Sequence, residues 1–171
     1  MKKKLKTCSI FGTLYTRQRG GLKRFMEKYP NKVEETLIQL LEEGYRHFIC
    51  GANLGLELAF AEFVGRYKKE YPDIYLEIVR YHDEYLPAPW RYEELLQFLV
   101  PWRLTDRATC LKRDKGIRGF SRKTRYIVRK GDLVVGFYVK KDEPYCSLIA
   151  LRAKKRRKPI RWIALSEPAE N

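Results

Sequence analysis

The chain has 171 residues, 44% hydrophobic and 13% aromatic, and its 36 Lys plus Arg outnumber 21 Asp plus Glu for a formal net charge of +15. That size and apolar content exclude a disordered chain and predict one domain that buries a core without disulfides. The charge predicts attraction to polyanions and phosphorylated ligands alike, and no apolar run approaches the roughly 20 residues that span a bilayer.

Cys8, Cys50, Cys110 and Cys146 lie far apart, with no C-x-x-C pair and neither histidine beside them. No metal site, redox motif or cofactor is expected from that pattern. The start, "MKKKLKTCSIFG", is basic and then apolar, but the apolar part is too short for a secretory signal and reads as a strand. Free thiols without such a signal predict a cytoplasmic location.

Along the chain, residues 6–11 read as a first strand ending at Gly12, followed by the basic loop "TLYTRQRGGLKRFMEKYP". Asn31 is expected to cap a helix, with Glu34 completing a capping box, Val33, Leu37, Leu40 and Leu41 on one face, and Gly44 as the stop. "YRHFIC" is the second strand. Leu54, Leu58, Ala61 and Val64 mark a second helix running to about Lys69. "IYLEIVRY" is a buried third strand, and a proline-bounded helix is expected from about Arg91 to Val100. "RATCL" reads as a short fourth strand, Ser121 as the cap of a helix through Lys130, and "DLVVGFYV" as the strongest strand, with Asp132 capping its amino end. "SLIALRAKKR" is the last helix and "IRWIAL" the last strand.

Strand and helix alternate throughout, which predicts parallel pairing through right-handed crossovers. The expected fold class is α/β, a three-layer α/β/α sandwich with a mainly parallel sheet. One domain is expected over residues 1–165, with 166–171 as a flexible tail.

Ligands of open parallel sheets bind beyond the carboxyl ends of the strands, which selects the loops after Phe11, Cys50, Tyr81 and Val139. The second of these is "GANLGLE", Gly51 to Glu57. Its glycines allow a tight turn and close backbone approach, and free amides of the following helix suit a phosphate or carboxylate. Asn53 is a candidate side-chain cap, and Glu57 a candidate acceptor for ribose hydroxyls or a base edge. The same pattern also fits a helix start that needs small residues for packing, with Glu57 an exposed charge. His82, in "YHDEY", is a candidate acid–base group or an exposed loop histidine. Trp90 and Trp102 fit either a lid or packing, and Cys8 and Cys50 read as small buried hydrophobes on neighbouring strands.

"GANLGLELAFAEFVGRYKKEYPDIYLEIV", followed by "RKTRYIVRKGDLVVGFY", resembles the SLOG superfamily of Rossmann-like proteins, and most nearly its YpsA-like branch. The branch carries a G-A-x-G-x-D/E turn, then A-A-E on the helix and YP-x-I-x-L into the third strand. Those elements fall here on Gly51–Glu57, Ala59–Glu62 and Tyr71–Leu76. The family's G-H-R after the first strand is replaced by Gly12-Thr13-Leu14, its R-N pair falls on Lys123 and Thr124, and its Gly-Gly-Thr falls near "EPYCS".

The resemblance implies a domain that binds a nucleotide or nucleotide-derived ligand, such as ADP-ribose, without turning it over. The ligand-binding residues it implies are Gly12, Thr13, Gly51, Ala52, Asn53, Leu54, Gly55 and Glu57, with Arg17, His82, Lys123 and Arg125 as accessories. Arg19 is an alternative to Arg17 for the missing family arginine. A second expectation, from the DprA proteins of the superfamily, is a basic nucleic-acid-binding module. The charge and the basic and aromatic residues of "RDKGIRGFSRKTRYIVRKG" and "RAKKRRK" support it. A third is an N-glycosidase of the LOG type using Glu57. A homodimer is a further expectation of the resemblance, and a membrane partner is not expected.

Overall fold

Every residue of β1 (Lys6–Gly12) after the first is buried, so this strand must be covered on both faces. In the computed structural model, which describes residues 4–15, 22–81, 91–111, 116–140 and 143–165, β1 lies inside a six-stranded sheet. The other strands are β2 (Tyr45–Gly51), β3 (Tyr75–Tyr81), β4 (Arg107–Leu111), β5 (Leu133–Tyr138) and β6 (Ile160–Ala164). Their order is β4-β3-β2-β1-β5-β6, and every neighbouring pair is parallel. The α/β sandwich expected from the alternation is therefore present, Rossmann-like and wholly parallel.

Among the described residues six helices follow: α1 (Leu22–Glu27), α2 (Pro30–Glu42), α3 (Leu56–Tyr67), α4 (Tyr92–Leu104), α5 (Gly116–Lys130) and α6 (Pro144–Lys155), with α4 lying against α3. Alternate strand residues feed two cores. Cys8, Ile10, Phe48, Cys50, Leu76 and Ile78 pack with α2 and α3, whereas Phe11, Ile49, Val79 and Val134 pack with α5 and α6. The chain steps from β1 outward to β4, then crosses back to place β5 on the other side of β1. The strand order reverses there, and the carboxyl ends of β1 and β5 flank that switch point.

Several boundaries differ from expectation. Pro30 occupies the first turn of α2 behind Tyr29, so Asn31 and Glu34 form no capping box; a proline fits that turn because its missing N–H has no partner to lose. Within the basic loop, residues 22–27 form α1, whose Phe25 reaches the core. α4 continues through Pro101 to Leu104. α5 begins at Gly116, so Ser121 lies inside it and its hydroxyl accepts from Arg152 Nη2 at 2.5 Å rather than capping. α6 starts at Pro144 and α3 ends at Tyr67.

Other expectations hold. Gly44 ends α2 with φ 86°, and Asp132 Oδ2 accepts from the Thr7 amide at 2.9 Å, tying the amino ends of β5 and β1. Cys8 and Cys50 lie on adjacent strands, and burial pushes both thiols well above their usual range, as inert core groups. Trp102 packs against Phe98 with ring centroids 5.2 Å apart. Arg17, Arg19, His82, Trp90 and the tail 166–171 lie outside the described residues. Among the described residues, no helix is long and apolar enough to cross a membrane.

Candidate functional site

β2 ends at Gly51, and the chain turns through Ala52, Asn53 and Leu54 to enter α3 at Gly55. Gly55 holds φ 102°, a backbone conformation that costs glycine little and other residues much. Its amide donates to Gln97 Oε1 at 2.8 Å and its carbonyl accepts from Gln97 Nε2 at 3.1 Å. A side-chain amide of α4 thus fills the entrance backbone of α3. Asn53 does not cap α3, whose N-cap is Gly55 with no side-chain hydrogen bond. Leu14 forms an isolated antiparallel bridge to the same glycine.

Asn53 instead joins two charged side chains. Its Oδ1 accepts from Lys123 Nζ at 3.2 Å, and its Nδ2 donates to Glu57 Oε2 at 2.9 Å. Glu57 Oε1 accepts from the Tyr145 hydroxyl at 2.8 Å. Glu57 and Lys123 are each only 1% exposed, so Glu57 is not a solvated helical charge. Asn53 is half-buried and forms the outer edge of the group.

Gly51 makes the convergence physically possible. A Cβ there would stand 2.8 Å from Glu57 Oε2 and 3.2 Å from Lys123 Nζ. The missing side chain is replaced by two charged heads, one from α3 and one from α5. Lys123 Nζ also lies 5.4 Å from the ring centroids of both Tyr81 and Phe120, a geometry in which aromatic faces stabilise a cation.

The remaining expected residues take distinct places. Thr13 stitches the switch point: its amide donates to Phe137 O at 2.9 Å and its Oγ1 accepts from the Val139 amide at 3.1 Å. Gly12 ends β1, where a Cβ would lie 2.6 Å from that of Leu56. Ala52 is buried in the core and Leu54 packs on its edge. Arg125 is exposed and belongs to the outer side of α5, apart from this group. The structure therefore gathers Gly51, Asn53, Glu57 and Lys123, and adds Tyr145 and Gln97, which the sequence reading passed over. Tyr145 lies in the "EPYCS" segment where the family's glycine loop is replaced, and that replacement was the available signal.

A second buried carboxylate, Glu77 on β3, sits among Thr109 Oγ1 at 2.7 Å, the Tyr126 hydroxyl at 2.8 Å and His47 Nε2 at 3.4 Å. Burial pushes its carboxyl up, but these contacts and the Arg107 charge outweigh burial and bring it to about 2. It lies beneath α5 on the strand next to the sheet edge, where it ties β3, β4 and α5 together.

The family comparison covers most of the chain. A model described as the YspA SLOG family matches residues 25–166. A search of curated proteins found no match. The matched span runs from α1 past β6 and includes the whole Gly51–Glu57 turn and Lys123. This chain is therefore a member of the SLOG superfamily, in its YpsA-like branch.

Proposed function

We propose that the chain binds a nucleotide-derived ligand at the carboxyl edge of its sheet, where Lys123 and Glu57 meet around Asn53. Buried ionisable groups add little net stability and concentrate at functional sites. The position beside the switch point is where open α/β sheets take ligands.

The observation that carries this reading is the Asn53 bridge. Asn53 offers an acceptor to Lys123 and a donor to Glu57. A nucleotide offers the same pair, a phosphate oxygen for the ammonium and a ribose hydroxyl for the carboxylate. A ligand that displaces the Asn53 amide leaves both charged heads paired, and the Tyr145 hydroxyl keeps Glu57 oriented throughout. In this account Lys123 supplies the anion contact, and the Gly55 amide at the entrance to α3 is held by Gln97. Gly51 leaves room for the two charged heads.

Isothermal titration with AMP, ADP-ribose and 2′,3′-dideoxy-AMP tests the proposal. Removing the ribose hydroxyls leaves the Glu57 carboxylate unmatched and should weaken binding about 10-fold or more, the value of one hydrogen bond to a charged group. Equal affinities for AMP and its dideoxy analogue would remove Glu57 from the site.

A further inference from the structure

The outer side of α5 carries a different feature from the buried one. Arg118, Arg122, Arg125 and Arg129 follow one another at helical spacings of four, three and four residues, and the helix holds no acid at all. They form one ridge, about 16 Å long at 1.5 Å per residue. A groove of about 590 Å³ runs beside it, lined by Arg122, Arg125, Arg129, Arg156, Leu111 and Tyr126. Its described lining contains four guanidinium groups and no carboxylate.

Like charges packed this closely repel one another. The effect reaches Arg152, whose guanidinium is shifted down first by burial and then by the Arg125 charge. A polyanion laid along the ridge relieves that repulsion and releases its own counterions.

We propose that this groove binds the phosphodiester backbone of duplex nucleic acid, read as charge and not as sequence. It lies on the opposite side of α5 from Lys123 and does not depend on the nucleotide reading. The duplex is favoured over a single strand by Tyr126. Single-strand binders stack bases on aromatic rings, but the Tyr126 hydroxyl donates to Glu77, and cations flank its ring, Lys130 at 5.3 Å and Arg129 at 5.8 Å. The remaining apolar lining, Leu111, offers no platform for a base.

Fluorescence anisotropy with a labelled 20-base-pair duplex, across a sodium chloride series, tests the proposal. Four phosphate contacts at about 0.9 each predict a log–log slope near −3.6, roughly a 150-fold loss of affinity between 50 and 200 mM salt. The variant Arg125→Glu, Arg129→Glu, Arg156→Glu should flatten that slope to about −1. All three residues are exposed, so the variant should melt like the wild type. A matched variant, Arg24→Glu, Lys32→Glu, Lys69→Glu, alters exposed positions on α1, on α2 and just beyond α3 and lowers the same formal charge of +15 by an equal amount. It should keep the wild-type slope. Equal losses in both variants, no duplex binding by the wild type, tighter binding to a single strand of the same length, or binding only to anionic lipid vesicles would each overturn the proposal.

Discussion

Glu57 and Tyr145, 88 residues apart in the chain, share a 2.8 Å hydrogen bond at the carboxyl edge of the sheet. One comes from the first turn of α3 and the other from the start of α6, helices that cover opposite faces. The bond therefore closes the sandwich over the switch point and fixes a buried carboxylate in place. Tyr145→Phe removes only the donor. Leaving a buried carboxylate oxygen without its partner should cost about 1–3 kcal/mol, measured as a lower urea midpoint with an unchanged slope. An unchanged midpoint would mean that another donor takes over.

Lys123→Met should be more costly to the fold than Tyr145→Phe. The substitution keeps the volume but removes the ammonium that shares the buried site with the Glu57 carboxylate, a loss on the order of 3–5 kcal/mol. The double variant Lys123→Met, Glu57→Gln should recover part of it, since the charge imbalance is gone. A double-mutant cycle in urea checks this; strictly additive losses would show that the two heads do not interact.

Gly51→Ala tests the packing directly. Its Cβ would stand 2.8 Å from Glu57 Oε2 and 3.2 Å from Lys123 Nζ, so both heads must retreat. The expected result is a loss of about 1–3 kcal/mol from overpacking, together with loss of nucleotide binding. Wild-type binding in a destabilised Gly51→Ala protein would place the ligand elsewhere.

Part of this arrangement is legible in the sequence itself, and part arises only from packing. Strands were legible where β-branched and aromatic residues run together, as in "IYLEIVRY" and "DLVVGFYV"; "RATCL", with Thr109 as its one β-branched residue, carries a weaker signal, yet β4 occupies the whole of it. The start of α5 was not legible, because Ser121 imitates a cap while the helix already runs from Gly116. Pro101 suggested a stop, yet α4 passes through it. The turn at Gly51 could be located from its glycines, but not what fills it. Glu57 looks like a surface charge until Tyr145 is brought beside it, and Lys123 looks solvated among its arginine neighbours. Only the rotation of α5 separates the buried Lys123 from the outward-facing arginines Arg118, Arg125 and Arg129.

Glu77 predicts the acid behaviour of the fold. Its carboxyl is held at about 2 in the folded protein against an ordinary value of 4.5. A depressed folded value stabilises at pH above the unfolded one and is lost as pH falls through the folded one. Stability should therefore decline between about pH 4.5 and 2, by roughly 3 kcal/mol from this group. Urea midpoints across that range should fall more steeply for the wild type than for Glu77→Gln. Parallel curves would show that other carboxylates set the acid limit.

The most direct measurement of the central claim is the melting temperature of wild-type and Lys123→Met protein titrated with ADP-ribose. A ligand held by the buried pair should raise the wild-type melting temperature in a saturable way, worth about 2.7 kcal/mol at a hundredfold excess over Kd. The Lys123→Met protein, still melting cooperatively from its lower starting point, should show no rise. An equal rise in both proteins, or a flat wild-type response to ADP-ribose, NAD, cyclic nucleotides and nucleoside monophosphates alike, would contradict the account.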